Sequence, residues 1–102
     1  MKILLSIDFG YALATTRNPE LIEKIQEFSK HCSKTVFNFP TIPRIGEMIN
    51  IEDILHECSE KNYKSEANEV FNLLWRKLNT ELLVKMIYHG RYYTTVECTD
   101  MY

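Results

Sequence analysis

LLVKMIYHGRYYTTVECT, residues 82–99, reads as two β-strands, 82–89 and 92–99, rich in β-branched and aromatic residues around Gly90-Arg91. Glycine at the first of two central positions is the signature of a type II′ turn. That turn predicts His89 opposite Tyr92 and Tyr88 opposite Tyr93. The chain therefore ends in an antiparallel hairpin, and the elements before it must supply the rest of the sheet.

Working upstream, Ser65 opens a helix whose apolar face is Ala67, Val70, Phe71, Leu74, Trp75 and Leu78, with Asn79 ending it. Trp75 sits in the middle of that stripe and belongs to the core. Before it, GEMINIEDIL (46–55) extends as a strand with Ile49 and Ile51 on one face. Its tail, residues 52–58, fits helix and strand equally, because Ile54, Leu55 and Cys58 also match helical spacing. KTVFNF (34–39) is a further strand. Asn18-Pro19-Glu20 supplies a cap, a first-turn proline and an acid, and Leu21, Ile22, Ile25 and Phe28 follow at helical spacing, giving an amphipathic helix over about 19–31. KILLSIDF (2–9) is a buried strand that Gly10 closes. The order β-α-β-β-α-β-β predicts an α+β fold: a ferredoxin-like βαββαβ arrangement with an added C-terminal strand, an antiparallel sheet with two helices on one face.

Composition fits one globular domain, 1–102, with 45% hydrophobic and 25% charged residues. The net charge of −2 provides no basic field for nucleic acid, and Lys24, Lys30 and Lys34 alternate with Glu20, Glu23 and Glu27 on a solvated helix face. Cys32, Cys58 and Cys98 form no C-x-x-C pair, which predicts reduced, buried thiols and no local zinc site. Met1-Lys2 and Ala12-Leu13-Ala14 suggest a leader, but Asp8 interrupts the apolar run. No stretch approaches the ~20 apolar residues of a membrane span. The expectation is a cytoplasmic protein.

Few residues carry chemistry. His31 ends the first helix, where a cation beside the C-terminus is favoured. His56 and Cys58 would chelate only from an extended segment and need a third ligand. His89 lies beside the hairpin turn. No nucleophile motif or glycine-rich phosphate loop is present, no cofactor or metal is implied, and the GEMINI strand lacks the aromatics of an RNA-recognition sheet. Tyr88, Tyr92, Tyr93 and Tyr102, with Lys85 and Arg91, make the hairpin aromatic and partly basic. Such a surface stabilises the hairpin by cross-strand pairing or docks a partner. FPTIPRIGEM (39–48) reads as a strand-to-strand corner: Pro40 and Pro43 hold Phe39 and Ile42 extended, Gly46 permits a bend, and Arg44 can pair with Glu47 or meet an anion or a partner.

Four resemblances extend these readings. Ile42-Pro43-Arg44-Ile45-Gly46-Glu47 resembles the Pro-Arg-x-Gly-Glu turn of small uncharacterised bacterial proteins, which implies a strand following the turn and a later hairpin completing the sheet. Asp8 at the end of the first strand, the chain length and Lys34-Thr35-Val36-Phe37 resemble the small dimeric CRISPR-associated nucleases (Cas2-like). That resemblance implies Mg²⁺ held between Asp8 carboxylates at a dimer axis, although the basic character is lacking. Asp8-Phe9-Gly10 also resembles the first phosphate loop of actin- and hexokinase-like ATPases, but the chain is too short for their two lobes. The element order resembles ligand-sensing ACT modules as well. The leading expectation is a non-enzymatic protein-binding or assembly module, a homodimer or a subunit of an assembly, binding through Arg44, Tyr88, Arg91, Tyr92 and Tyr93. The alternatives are a metal-dependent nuclease using Asp8 and a small-molecule-sensing regulatory domain.

Overall fold

Alternation in the first strand decides its orientation: Ile3, Leu5 and Ile7 of β1 (Lys2–Asp8) are buried while Lys2, Ser6 and Asp8 face solvent. The computed structural model describes residues 2–51, 53–54 and 81–102. Within them the fold is mixed α and β: a five-stranded sheet, a short helix α1 (Gly10–Thr15) and a longer helix α2 (Pro19–Lys34). The other strands are β2 (Phe37–Asn38), β3 (Met48–Asn50), β4 (Glu81–His89) and β5 (Thr94–Thr99).

The sheet order is β2-β1-β5-β4-β3. β1 runs parallel to β5 from Ile3↔Thr94 to Asp8↔Thr99, and the other neighbouring pairs are antiparallel. The sheet is therefore mixed, which corrects the expected antiparallel sheet. In the ferredoxin-like order every neighbour is antiparallel, whereas here the last strand lies parallel beside the first. Periodicity fixes which face of a strand is buried but not which strand lies beside it. The inward residues match across the pair, with Leu5 opposite Val96 and Ile7 opposite Cys98.

α2 follows its local signals. The Asn18 side chain accepts from the Glu20 amide at 3.0 Å, Pro19 opens the helix, and Leu21, Ile25, Phe28 and Cys32 are buried. The helix continues to Lys34, one turn past the expected end. It packs on β1, where the Phe28 ring meets Phe9 edge-on at 6.2 Å between centroids. At its C-terminal end the Thr35 hydroxyl donates to the His31 carbonyl at 2.8 Å and lies 3.1 Å from His31 Nε2. With its only hydrogen on the carbonyl, the hydroxyl accepts from Nε2–H, which assigns the ring's neutral tautomer.

Burial lowers the His31 pKa from its ordinary 6.5, so the ring is neutral at pH 7 rather than the expected cation. Above about pH 6.5 folded and unfolded chains both hold this ring neutral. Below it the unfolded chain takes up the proton more readily, so His31 makes stability fall as pH drops. His31→Gln should flatten the profile of urea midpoint against pH between about 7 and 5.5. A profile as steep as that of the parent chain would show that His31 does not set it.

The later elements depart from expectation in ways that trace to single residues. KTVFNF keeps strand geometry only at Phe37 and Asn38. Ile49 and Ile51 are both buried, and Ile51, Asp53 and Ile54 are helical, while residues 52 and 55–58 lie outside the described residues. The helix expected at 65–79, with Trp75, and residues His56 and Cys58 lie outside the described residues, so the expected pair of helices on one face does too. The hairpin turn is corrected: β4 and β5 are joined by residues 90–93, and His89 and Tyr88 pair with Thr94 and Thr95. The Gly90 amide donates to the Tyr93 carbonyl at 3.0 Å, and a Cβ on Gly90 would lie 2.7 Å from that oxygen. Gly90 is there for close approach, not for a positive φ. Gly46, at φ 93°, is the glycine that bends the chain, as the corner reading predicted.

Lys85 is an extra residue in β4, because Val84 pairs with Cys98 and Met86 with Glu97. This bulge reverses the strand's phase: Leu82 and Val84 point into the core, and beyond Lys85 it is Ile87 that packs against it. Met86 and Tyr88 are thereby turned outward, 44% and 54% exposed.

Candidate interaction surface

The face of the sheet opposite the buried residues carries an apolar strip along β4. Met48 of β3 pairs with Leu83, and Met86 and Tyr88 continue along the strand, next to Glu97 and Thr95 of β5. Met48 is 40% exposed, and Leu83 and Thr95 are half-buried. β3 pairs with β4 only from Glu81 to Leu83, and the preceding corner adds bonds from the Gly46 amide to Val84 and from Val84 to Glu47, both 2.9 Å. Beyond Val84 no described strand covers that edge of β4. Among the described residues, half of the strand is thus an uncovered edge flanked by a methionine and a tyrosine.

The hairpin tip adds three more of the expected residues. Tyr92 is the most exposed large hydrophobic side chain among the described residues at 77%, Tyr93 is exposed, and the Arg91 guanidinium stands 5.5 Å from the Tyr92 ring centroid. That geometry lets the cation rest on the ring face and holds both groups on the surface. The His89 ring lies 3.5 Å from the Thr94 hydroxyl across the hairpin. Tyr88, Arg91, Tyr92 and Tyr93 are therefore brought to one end of the sheet, with Met86 as a member that strict alternation from Leu82 and Val84 conceals.

Arg44 and Asp8 stand apart from this group. Arg44 lies in the exposed corner that bonds to Val84, roughly 16 Å along β4 from the tip. Its main-chain amide donates to Glu47 Oε1 at 2.7 Å, and the Glu47 amide returns a bond to the Arg44 carbonyl at 3.0 Å. The expected Arg44–Glu47 partnership is thus made through the backbone, and the exposed guanidinium faces solvent. Asp8 is at the far end of β1, opposite Thr99, exposed, with Oδ1 accepting from the Gly10 amide at 2.9 Å. It closes the turn into α1.

Asp100 meets Asp8 through the backbone, its main-chain amide donating to the Asp8 carbonyl at 3.1 Å. Asp100 is buried, and its carboxylate accepts from the Tyr11 amide at 3.0 Å and the Ala12 amide at 2.9 Å. No sequence motif singles this residue out. Among the described residues, no three His, Cys, Asp or Glu side chains gather as a metal site. Cys32 and Cys98 are buried, and burial with the neighbouring Glu97 pushes the Cys98 thiol up to about 12, so it stays protonated. No helix among the described residues is long and apolar enough to cross a membrane. Comparison with known protein families, with curated proteins and with solved structures gives no match.

Proposed function

We propose that this chain is a non-enzymatic binding domain of the cytoplasm that pairs with a second copy of itself through the free half of β4. The half of β4 that no described strand covers, with Met86 and Tyr88 exposed beside it, carries this reading. An edge strand with unpaired main-chain groups adds another strand readily, and a two-fold axis makes one edge serve both partners. An antiparallel pair centred on Ile87 sets Met86 of each chain against Tyr88 of the other, a sulfur–aromatic contact repeated by symmetry. The exposed residues at this end of the sheet are the types enriched in interfaces: tyrosine, methionine and arginine.

The test is solution mass by light scattering, followed by Tyr88→Asp and Met86→Asp. A dimer is expected for the parent chain. The paired substitution should raise the dimer Kd at least roughly thirtyfold while leaving the circular dichroism spectrum unchanged. A parent chain that stays monomeric at high concentration would refute self-association, and a dimer indifferent to both substitutions would place the interface elsewhere.

A further inference from the structure

We infer that a cleft at the carboxyl end of β1, on the opposite end of the sheet from the hairpin tip, binds a free α-amino acid with an apolar side chain. The cleft lies between β1, α1 and α2 and encloses about 320 Å³. That is the small end of the roughly 300–1,000 Å³ range of ligand sites, which suits a compact ligand rather than a nucleotide. Ile7, Leu13 and Ile25 give it an apolar floor, and Asp8, Ser29, Lys30 and Ser33 stand around it.

The polar groups divide into two sets. The Asp8 carbonyl accepts from Asp100 on the β5 side, so Ile7 turns its main-chain groups to the opposite edge, where its carbonyl accepts from the Ser29 hydroxyl at 3.0 Å. β2 pairs with β1 only at Lys2 and Ile3, so no described strand occupies this edge beside Ile7. The Ile7 N–H points the same way and, with the Lys30 ammonium, offers donors for a carboxylate. On the acceptor side, the Ser29 and Ser33 hydroxyl hydrogens are both committed to carbonyls, the second to Lys30 at 2.7 Å. Their oxygens keep lone pairs, and Asp8 adds a carboxylate, so an ammonium group meets acceptors. Among the described residues, Asp8 and Lys30 are the only charged side chains that line the cleft. A simple anion or cation satisfies one of them, whereas a zwitterion satisfies both, and the apolar floor takes its side chain.

L-Leucine, N-acetyl-L-leucine and L-leucinamide, titrated into the ¹⁵N-labelled chain, test this directly. Leucine should shift the amides of Ile7, Asp8, Leu13, Ser29 and Lys30. Each blocked analogue should bind roughly three- to fivefold more weakly, as exposed charge pairs warrant. Asp8→Asn preserves an acceptor for the Gly10 amide and should abolish the preference for leucine over N-acetyl-leucine alone. Lys30→Gln, on the exposed face of α2, should abolish only the preference over leucinamide. Absence of shifts at ~10 mM leucine, above the millimolar limit of weak binding, or equal binding of the three compounds, would overturn the assignment. Neither result bears on self-association through β4.

Discussion

Asp100→Ala is expected to lower the unfolding free energy by about 2–4 kcal/mol, because a buried carboxylate that accepts two amide hydrogens is removed and both donors are stranded. The residue is 2% exposed, and its bonds to the Tyr11 and Ala12 amides cap α1 from the other end of the chain. The cap position itself holds Phe9, which has no side-chain acceptor, and the first turn of α1 contains no acid. A helix of six residues is far below the length that stands alone in water, so its order depends on this distant cap and on the packing of Ala12. The loss corresponds to a drop of roughly 10–20 °C in Tm for a domain of this size. Asp100→Asn, which keeps one oxygen acceptor, should fall between the two. Urea unfolding measures both, and a cost below about 0.5 kcal/mol for the alanine variant would remove the cap from the account of stability. Melting α1 also dissolves the Leu13 wall of the cleft, so leucine binding should weaken in the same variant.

The contrast between the two helices explains what the sequence can show. α2 is written locally: Asn18 caps it, Pro19 opens it, and its apolar residues recur at helical spacing, so its start and buried face are legible. α1 is held by a residue eighty-eight positions from Ala12, and no local pattern reports such a contact. The same division runs through the sheet. Alternation in KILLSID is visible, but the choice of β5 as its parallel neighbour depends on the whole chain. At the hairpin the sequence ties Gly90 to a two-residue turn, whereas the 2.7 Å approach to the Tyr93 carbonyl, not backbone handedness, accounts for the glycine. The tyrosines of the interaction surface were legible from composition. Met86 was not, because the Lys85 bulge inverts the phase that Leu82 and Val84 establish. The cleft was hidden for a related reason: Asp8 and Lys30 are separated in sequence and come to line one cleft only when α2 folds back along β1.

Phe28→Ala should cost about 3–5 kcal/mol, the range for truncating a fully buried aromatic. Phe28 is 0% exposed at the centre of the α2 face that covers β1, and its ring meets Phe9 at 65° between planes. A domain of this length has roughly 5–15 kcal/mol of stability in total, so the variant stands near the limit of remaining folded. Phe28→Leu separates the contributions, since it keeps most of the apolar volume and loses the ring-edge contact. The Phe9→Leu and Phe28→Leu cycle should give a coupling energy of about 0.5–1.5 kcal/mol, the value of an edge-to-face aromatic pair beyond its area. Additive effects would mean that the two rings only fill space. Coupling in that range would show that α2 is fixed on β1 by the ring pair, and with it the wall from which Ser29 and Lys30 reach the edge of the sheet.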